Sequence, residues 1–227
     1  MKIAIMQPYL FPYIGYFQLI KSVDNFVFFD DVNYINKGWV NRNRILNDQI
    51  FTLPLINASQ NRLIKDIEIF DPVSSKNKLL KNIFHSYKKA PYFEESYKIL
   101  EEIILNPAVN LSDFITNSLI KISDHLNIKT HFLFSSQINY DRSLSAQDKI
   151  ISILKNFNDI NLEYINAAGG AALYDKNLFS KNSIKLSYIK NKKMLYKQFG
   201  NDFIDNLSIV DVMMFCDRST IIEACAT

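Results

Sequence analysis

Glycine is scarce in this chain. Gly15, Gly38, Gly169, Gly170 and Gly200 are the only five among 227 residues. A chain that uses glycine so sparingly is expected to place it where the backbone needs it, and four of the five fall in the segments singled out below. Cysteine is scarcer still. Cys216 and Cys225 cannot build a disulfide framework, which fits a reducing compartment. The three histidines and two cysteines show no metal-ligand spacing, so no metal site is expected. The net charge of +3 is too small for the strongly basic face of a nucleic-acid binder, although local basic clusters can still hold phosphates. Long apolar runs are missing too. The opening stretch Ile3-Ala4-Ile5-Met6 stops at Gln7-Pro8, and no later stretch reaches the roughly 18 residues of a membrane span. These absences give the expectation of a cytoplasmic protein with no transmembrane segment and no nucleic acid as target.

What is present is ordinary globular material. Hydrophobic residues make up 48% and charged residues 22%, enough for a normal core in one domain spanning 1–227. Ile3–Met6 and Phe26–Phe29 read as short buried strands on either side of a helix at Gly15–Ser22, the βαβ pattern of a parallel sheet. Phe51–Leu55 and Asp66–Phe70 read as a strand pair. Ser74–Lys88, Pro91–Leu105 and Leu111–His125 carry helical spacing, with Ser112 and Asp113 as caps for the third. Residues 74–126 therefore form a helical middle segment, a candidate cap. Strands at His131–Phe134, Leu162–Ile165 and Ile184–Ile189 alternate with helices at Ser145–Phe157 and Leu173–Phe179. Leu207–Phe215 is the last predicted helix. The fold class is α/β, a mainly parallel sheet with flanking helices.

In such a sheet ligands bind beyond the carboxyl ends of strands. The loop from Gln7 to Gly15 leaves the first strand at such an end, and free N–H groups near Gly15 can hold an anion. Gln7, Tyr13 and Tyr16 are candidate substrate contacts; Phe11 and Phe17 are expected in the core. Tyr13-Ile14-Gly15-Tyr16 also occupies the position of the nucleotidylyltransferase His-x-Gly-His signature, with tyrosines that cannot replace its imidazoles. Asp30-Asp31 end the second strand. One of them can orient an amine or hold Mg²⁺, the alternative being a strand-end turn. Lys37, Trp39, Asn41, Arg42 and Arg44 bring cations and an amide around the only tryptophan. Arg42 and Arg44 share a side if the segment is extended, and both suit a phosphate or carboxylate. A solvated basic loop is the alternative. His85, beside Tyr87 in the Tyr87-to-Phe93 junction, is the general-base candidate because histidine titrates near neutrality; a structural histidine is the alternative. Gly169-Gly170 form a second possible anion cradle or a tight turn, and Tyr174 follows within reach. Ser208 and Asp211 read as cap and first-turn acid of the last helix.

Taken together, these blocks resemble the WbqC-like family. The similarity rests on Met6-Gln7-Pro8-Tyr9-Leu10-Phe11-Pro12-Tyr13-Ile14-Gly15-Tyr16-Phe17-Gln18-Leu19-Ile20, Asp30-Asp31-Val32 and Gly38-Trp39-Val40-Asn41-Arg42-Asn43-Arg44-Ile45. It continues through Tyr87-Lys88-Lys89-Ala90-Pro91-Tyr92-Phe93, Gly169-Gly170 with Leu173-Tyr174, and Leu207-Ser208-Ile209-Val210-Asp211. Leu10 stands where a second phenylalanine is expected, a change of packing rather than chemistry. The resemblance implies a setting in bacterial surface-polysaccharide synthesis, O-antigen in particular. The expected activity is transfer of an aminoacyl (for example glycyl) or acyl group to the amine of a nucleotide-linked amino sugar, with His85, Asp30 or Asp31 taking the proton. ATP with Mg²⁺ is the expected cofactor if the amino acid is activated in the same site. A nucleotidylyltransferase making an activated sugar, or a non-catalytic binding protein of the same pathway, are the alternatives.

Overall fold

The computed structural model describes residues 1–200 and 202–226, leaving aside the side chains of Asn47 and Ala146. Five strands form one parallel sheet: β1 (Lys2–Met6), β2 (Asn25–Phe28), β7 (His131–Phe134), β8 (Glu163–Ala167) and β9 (Lys185–Ile189), in the order β7-β2-β1-β8-β9. Their short apolar runs follow from burial on both faces. Side chains alternate between two cores: Ala4, Phe26 and Phe28 enter one, while Ile3, Ile5, Val27 and Tyr164 enter the other.

Helices cover both faces. The first is packed by α1 (Ile14–Lys21), α2 (Pro72–Tyr87), α3 (Phe93–Ile104), α4 (Leu111–His125), α7 (Ile209–Phe215) and α8 (Arg218–Ala224). The second is packed by α5 (Ala146–Leu154) and α6 (Lys176–Lys181). The chain runs outward from β1 through β2 to β7, then returns to the other side of β1 to lay down β8 and β9. The winding reverses between β1 and β8, which opens a crevice at the carboxyl ends of the strands.

Several local expectations change. The strand pair expected at 51–55 and 66–70 is divided between two small antiparallel sheets. β3 (Arg42–Ile45) pairs with β4 (Gln49–Thr52), and β5 (Leu55–Ile56) with β6 (Glu68–Ile69). Arg42-Asn43-Arg44 carries little strand propensity, but the pleat turns Asn43 and Ile45 inward and leaves both arginines on the outer face. Asn110, rather than Ser112 or Asp113, caps α4 by accepting from the Asp113 amide at 3.2 Å. The helix expected at Leu173 begins at Lys176, where Asp175 accepts from the Asn177 amide at 2.8 Å. α8 was hidden in a polar stretch and is nucleated by Asp217, which accepts from the Thr220 amide at 2.9 Å. The expected cap of the preceding helix is present, Ser208 accepting from the Val210 amide at 3.2 Å.

The loop from Gln7 to Tyr13 is fastened on several sides. Phe11 has φ of 42° and is fully buried, a conformation that persists only when the surroundings impose it. Asn43 Nδ2 donates to the Leu10 and Phe11 carbonyls at 3.0 and 2.8 Å, and Ser208 Oγ donates to the Phe11 carbonyl at 2.7 Å. The Ile209 amide donates to the Pro12 carbonyl at 2.8 Å. Asn43→Ala strips two of these bonds from buried backbone. It is expected to cost about 2–3 kcal/mol and to lower the thermal midpoint by roughly 5–10 °C. A midpoint within about 1 °C of the parent in a melting scan would show that Asn43 does not hold the loop.

Candidate functional site

A cleft of about 440 Å³ opens at the carboxyl ends of β1 and β9. The β1–α1 loop supplies Tyr9, Pro12, Tyr13, Ile14 and Gly15. Trp39, Asn43 and Arg44 form one side, and Asn191–Met194, Tyr196 and the stretch Phe203, Asp205–Leu207 form the other. The volume suits a small organic ligand.

Its chemistry is cationic and aromatic. Arg44 is half-held: Nη1 pairs with Asp48 Oδ1 at 2.6 Å and Nη2 donates to the Asp205 carbonyl at 3.2 Å. Lys193 Nζ pairs with Asp205 Oδ2 at 2.9 Å, and Lys192 Nζ donates to the Ala226 carbonyl at 3.1 Å. Asp205 is the one carboxylate lining the cleft among the described residues. Trp39 is 44% exposed at the rim, with the Arg42 guanidinium 5.6 Å from its ring centre.

Gly15 makes room for two side chains packed at the head of α1. A Cβ there would lie 2.3 Å from Tyr13 Cε2 and 2.4 Å from Asn191 Nδ2. Tyr13 thus lies flat across the helix start, its hydroxyl accepting from Asn191 Nδ2 at 2.6 Å. Burial raises the Tyr13 phenol pKa, and the Asn191 bond only partly offsets it, so the ring works as a neutral hydroxyl. Asn191 Oδ1 and Gln7 Oε1 are buried without a hydrogen-bond partner among the described residues. Such unsatisfied acceptors are uncommon and mark places where a ligand or water donor fits.

One wall of the cleft hangs on Asp211. This carboxylate is fully buried. Oδ1 accepts from the Tyr87 hydroxyl at 2.7 Å, and Oδ2 accepts from the Tyr196 hydroxyl at 2.7 Å and Gln198 Nε2 at 2.9 Å. Tyr87 in turn accepts from the Leu46 amide at 2.9 Å, just beyond β3 and Arg44. Gln198 Oε1 accepts from the Ile204 amide at 2.8 Å, next to Asp205. Burial raises the Asp211 carboxyl above its usual range although three donors pull the other way, and it lifts both tyrosines as well.

Of the residues singled out by sequence, Tyr13, Gly15, Trp39 and Arg44 meet in this cleft. The others lie elsewhere. Asp30 accepts from Ser136 Oγ at 2.7 Å, the Ser136 amide at 2.9 Å and Ser135 Oγ at 3.0 Å. Asp31 accepts from Tyr140 at 2.8 Å, Arg142 Nε at 2.9 Å and Ser135 Oγ. Both carboxylates are buried and spent on tying β2 to the segment after β7. His85 is exposed on the last turn of α2, against Phe84. Tyr16 is buried and donates to the Gln7 carbonyl at 2.8 Å. Asn41 accepts from Tyr34 at 2.7 Å and donates to the Leu53 carbonyl at 2.8 Å. Arg42 donates to the Gly38 carbonyl at 3.0 Å and to that of Lys37. Gly169 and Gly170 lie in a 3₁₀ turn after β8, and Tyr174 packs on Tyr164 and Phe179 in the second core. Tyr87 belongs to the Asp211 network.

The lining that sequence reading passed over is Asn191, Lys192, Lys193, Tyr196, Phe203 and Asp205. A signal was available. Lys190-Asn191-Lys192-Lys193 directly follows the strand expected at 184–189, the same strand-end position that drew attention to Gln7.

The sequence model of the WbqC-like protein family matches residues 7–223. A protein of Mycobacterium tuberculosis described as "Uncharacterized protein Rv1507c" is 26% identical over 218 residues, covering 93% of this chain and 92% of its own. A DNA ligase of Mycoplasmopsis synoviae is 28% identical over 145 residues, covering 60% of this chain but 20% of the ligase. No solved structure matches. Among the described residues no helix is long and apolar enough to cross a membrane.

Proposed function

The chain belongs to the WbqC-like protein family, and from that premise we propose that its cleft binds a nucleotide-linked amino sugar and transfers a small acyl or aminoacyl group, such as glycyl, to the sugar amine. The setting is synthesis of a bacterial surface polysaccharide such as O-antigen. One observation carries this reading: Arg44, Lys192 and Lys193 face the same cleft as Trp39, Tyr13 and an unsatisfied Asn191 carbonyl. Arg44 and Lys192 suit a diphosphate, because a guanidinium binds phosphate oxygens bidentately and a lysine adds a point charge. Trp39 offers a face for a base or sugar ring, and Asn191 Oδ1 accepts a ligand N–H or O–H.

Asp205 takes the role that His85, Asp30 and Asp31 held as expectations. The sugar ammonium replaces Lys193 on Asp205 Oδ2 and loses its first proton to water. The nitrogen lone pair then forms the C–N bond to the carbonyl carbon of an activated acyl donor. The carbonyl π pair moves to oxygen, beside the lysine cations. As that oxyanion collapses, the donor's leaving group departs with its bonding pair; one of the two protons left on nitrogen passes to Asp205 and the other stays as the amide N–H.

Removing a general base slows transfer about 100- to 10,000-fold. Asp205→Asn should therefore keep nucleotide-sugar affinity within a few fold in calorimetry while amide formation, followed by mass spectrometry, falls by at least about 100-fold. Unchanged transfer in Asp205→Asn would remove Asp205 from the chemistry. Surface polysaccharide from a deletion strain should lack one amide-linked acyl or aminoacyl group on an intact backbone; loss of a whole sugar would sink the transferase reading.

A further inference from the structure

Residues 191–199 leave β9 as a strap along the cleft edge, outside any helix or strand. Asn191, Met194 and Tyr196 line the cleft, and Gln198 is buried beneath. Lys192, Lys193, Leu195, Lys197 and Phe199 are exposed. Leu195 is 71% and Phe199 40% exposed, Phe199 standing edge-on to Phe215. Two large apolar side chains are thus held open to water along this one strap. Lysines flank them in the chain: Lys192, Lys193 and Lys197 on the strap, with Lys190 just before it. The acids of that wall are Asp202 and Asp205, and Asp205 is already paired with Lys193. Lys190 and Lys197 form no ion pair among the described residues.

We infer that the outer side of this strap seats on an anionic lipid surface, with Leu195 and Phe199 entering the interfacial layer and Lys190 and Lys197 meeting headgroup phosphates. Lysine is depleted in the cores of protein–protein interfaces. Basic side chains interleaved with bulky apolar ones suit an anionic membrane surface. The surface is independent of what the cleft binds.

Co-sedimentation with phosphatidylcholine vesicles, with and without phosphatidylglycerol, tests it. The protein should pellet with the anionic vesicles only, and less so in high salt. Removing charge in a Lys190→Ala, Lys197→Ala double variant should weaken partitioning about fivefold per lysine, and Leu195→Ser about tenfold. All three side chains lie outside the cleft lining, so nucleotide-sugar titration of the same variants should match the parent and show that the fold is intact. Equal pelleting with neutral and anionic vesicles, parental partitioning by the variants, or a dimer in sedimentation velocity that Leu195→Ser dissociates would each overturn the inference. The last would assign the face to a second copy of the chain.

Discussion

Replacing Asp211 with alanine should lower the thermal midpoint by about 10 °C, one of the two largest effects expected of a single substitution here. The carboxylate is buried and accepts from Tyr87, Tyr196 and Gln198. Without it, the Tyr87 and Tyr196 hydroxyls lose their acceptor in the interior, at about 1–3 kcal/mol apiece, while Gln198 Nε2 keeps the Ile204 carbonyl. Water entering the small void recovers part of this, so the total is roughly 3–5 kcal/mol. The damage should reach the cleft, since Tyr196 lines it and Gln198 ties down Ile204 beside Asp205. Asp211→Asn keeps the shape and loses less. It also removes a titration. The folded protein holds the Asp211 proton more tightly than the unfolded chain does. The stability contributed by this group is therefore fully present below the ordinary carboxylate value and is lost as pH rises through the raised one. Urea unfolding across that window should show the loss in the parent and not in Asp211→Asn. An identical pH dependence in both would mean that Asp211 does not titrate with folding.

Replacing Arg44 with alanine should weaken nucleotide-sugar binding by about 10- to 100-fold and leave stability nearly untouched. Its ion pair with Asp48 is partly exposed, the Asp48 side chain being 62% exposed, and such pairs contribute roughly 0–1 kcal/mol. A charge-assisted bond to a phosphate inside the cleft is worth more, about 1.5–3 kcal/mol. Arg44→Lys should restore only part of the affinity, because a point charge cannot bind two oxygens at once. Calorimetry with matched melting scans separates the two effects. Parental affinity in Arg44→Ala would place the anion elsewhere.

The sheet was legible because its signal is strong. Ile3–Met6, Phe26–Phe29 and His131–Phe134 are apolar runs of strand length, and both faces of the sheet are covered. β3 was not legible as a strand, because Asn43 is a polar residue buried for its bonds to Leu10 and Phe11. No periodicity reports that. The first half of the cleft could be read from the strand-end loop and from Trp39 and Arg44 of the basic segment. The second half could not, because it depends on bringing residues 191–196 and 203–207 back over Tyr13 and Gly15. Asp211 looked like an ordinary first-turn acid of a short helix; only the fold shows Tyr87 reaching it from α2. Asp30 and Asp31 illustrate the reverse. Adjacent acids at a strand end looked chemical, and the turn after β7 supplies Ser135, Ser136, Tyr140 and Arg142 to absorb them.

The most direct test of the proposed site is calorimetric titration of the parent, Arg44→Ala and His85→Ala with a nucleoside-diphosphate amino sugar, alongside the free amino sugar. The proposed site requires saturable binding of the nucleotide-linked form, much weaker binding of the free sugar, loss of affinity in Arg44→Ala and parental affinity in His85→Ala. Binding that survives Arg44→Ala but fails in His85→Ala would contradict it and move the site to the end of α2.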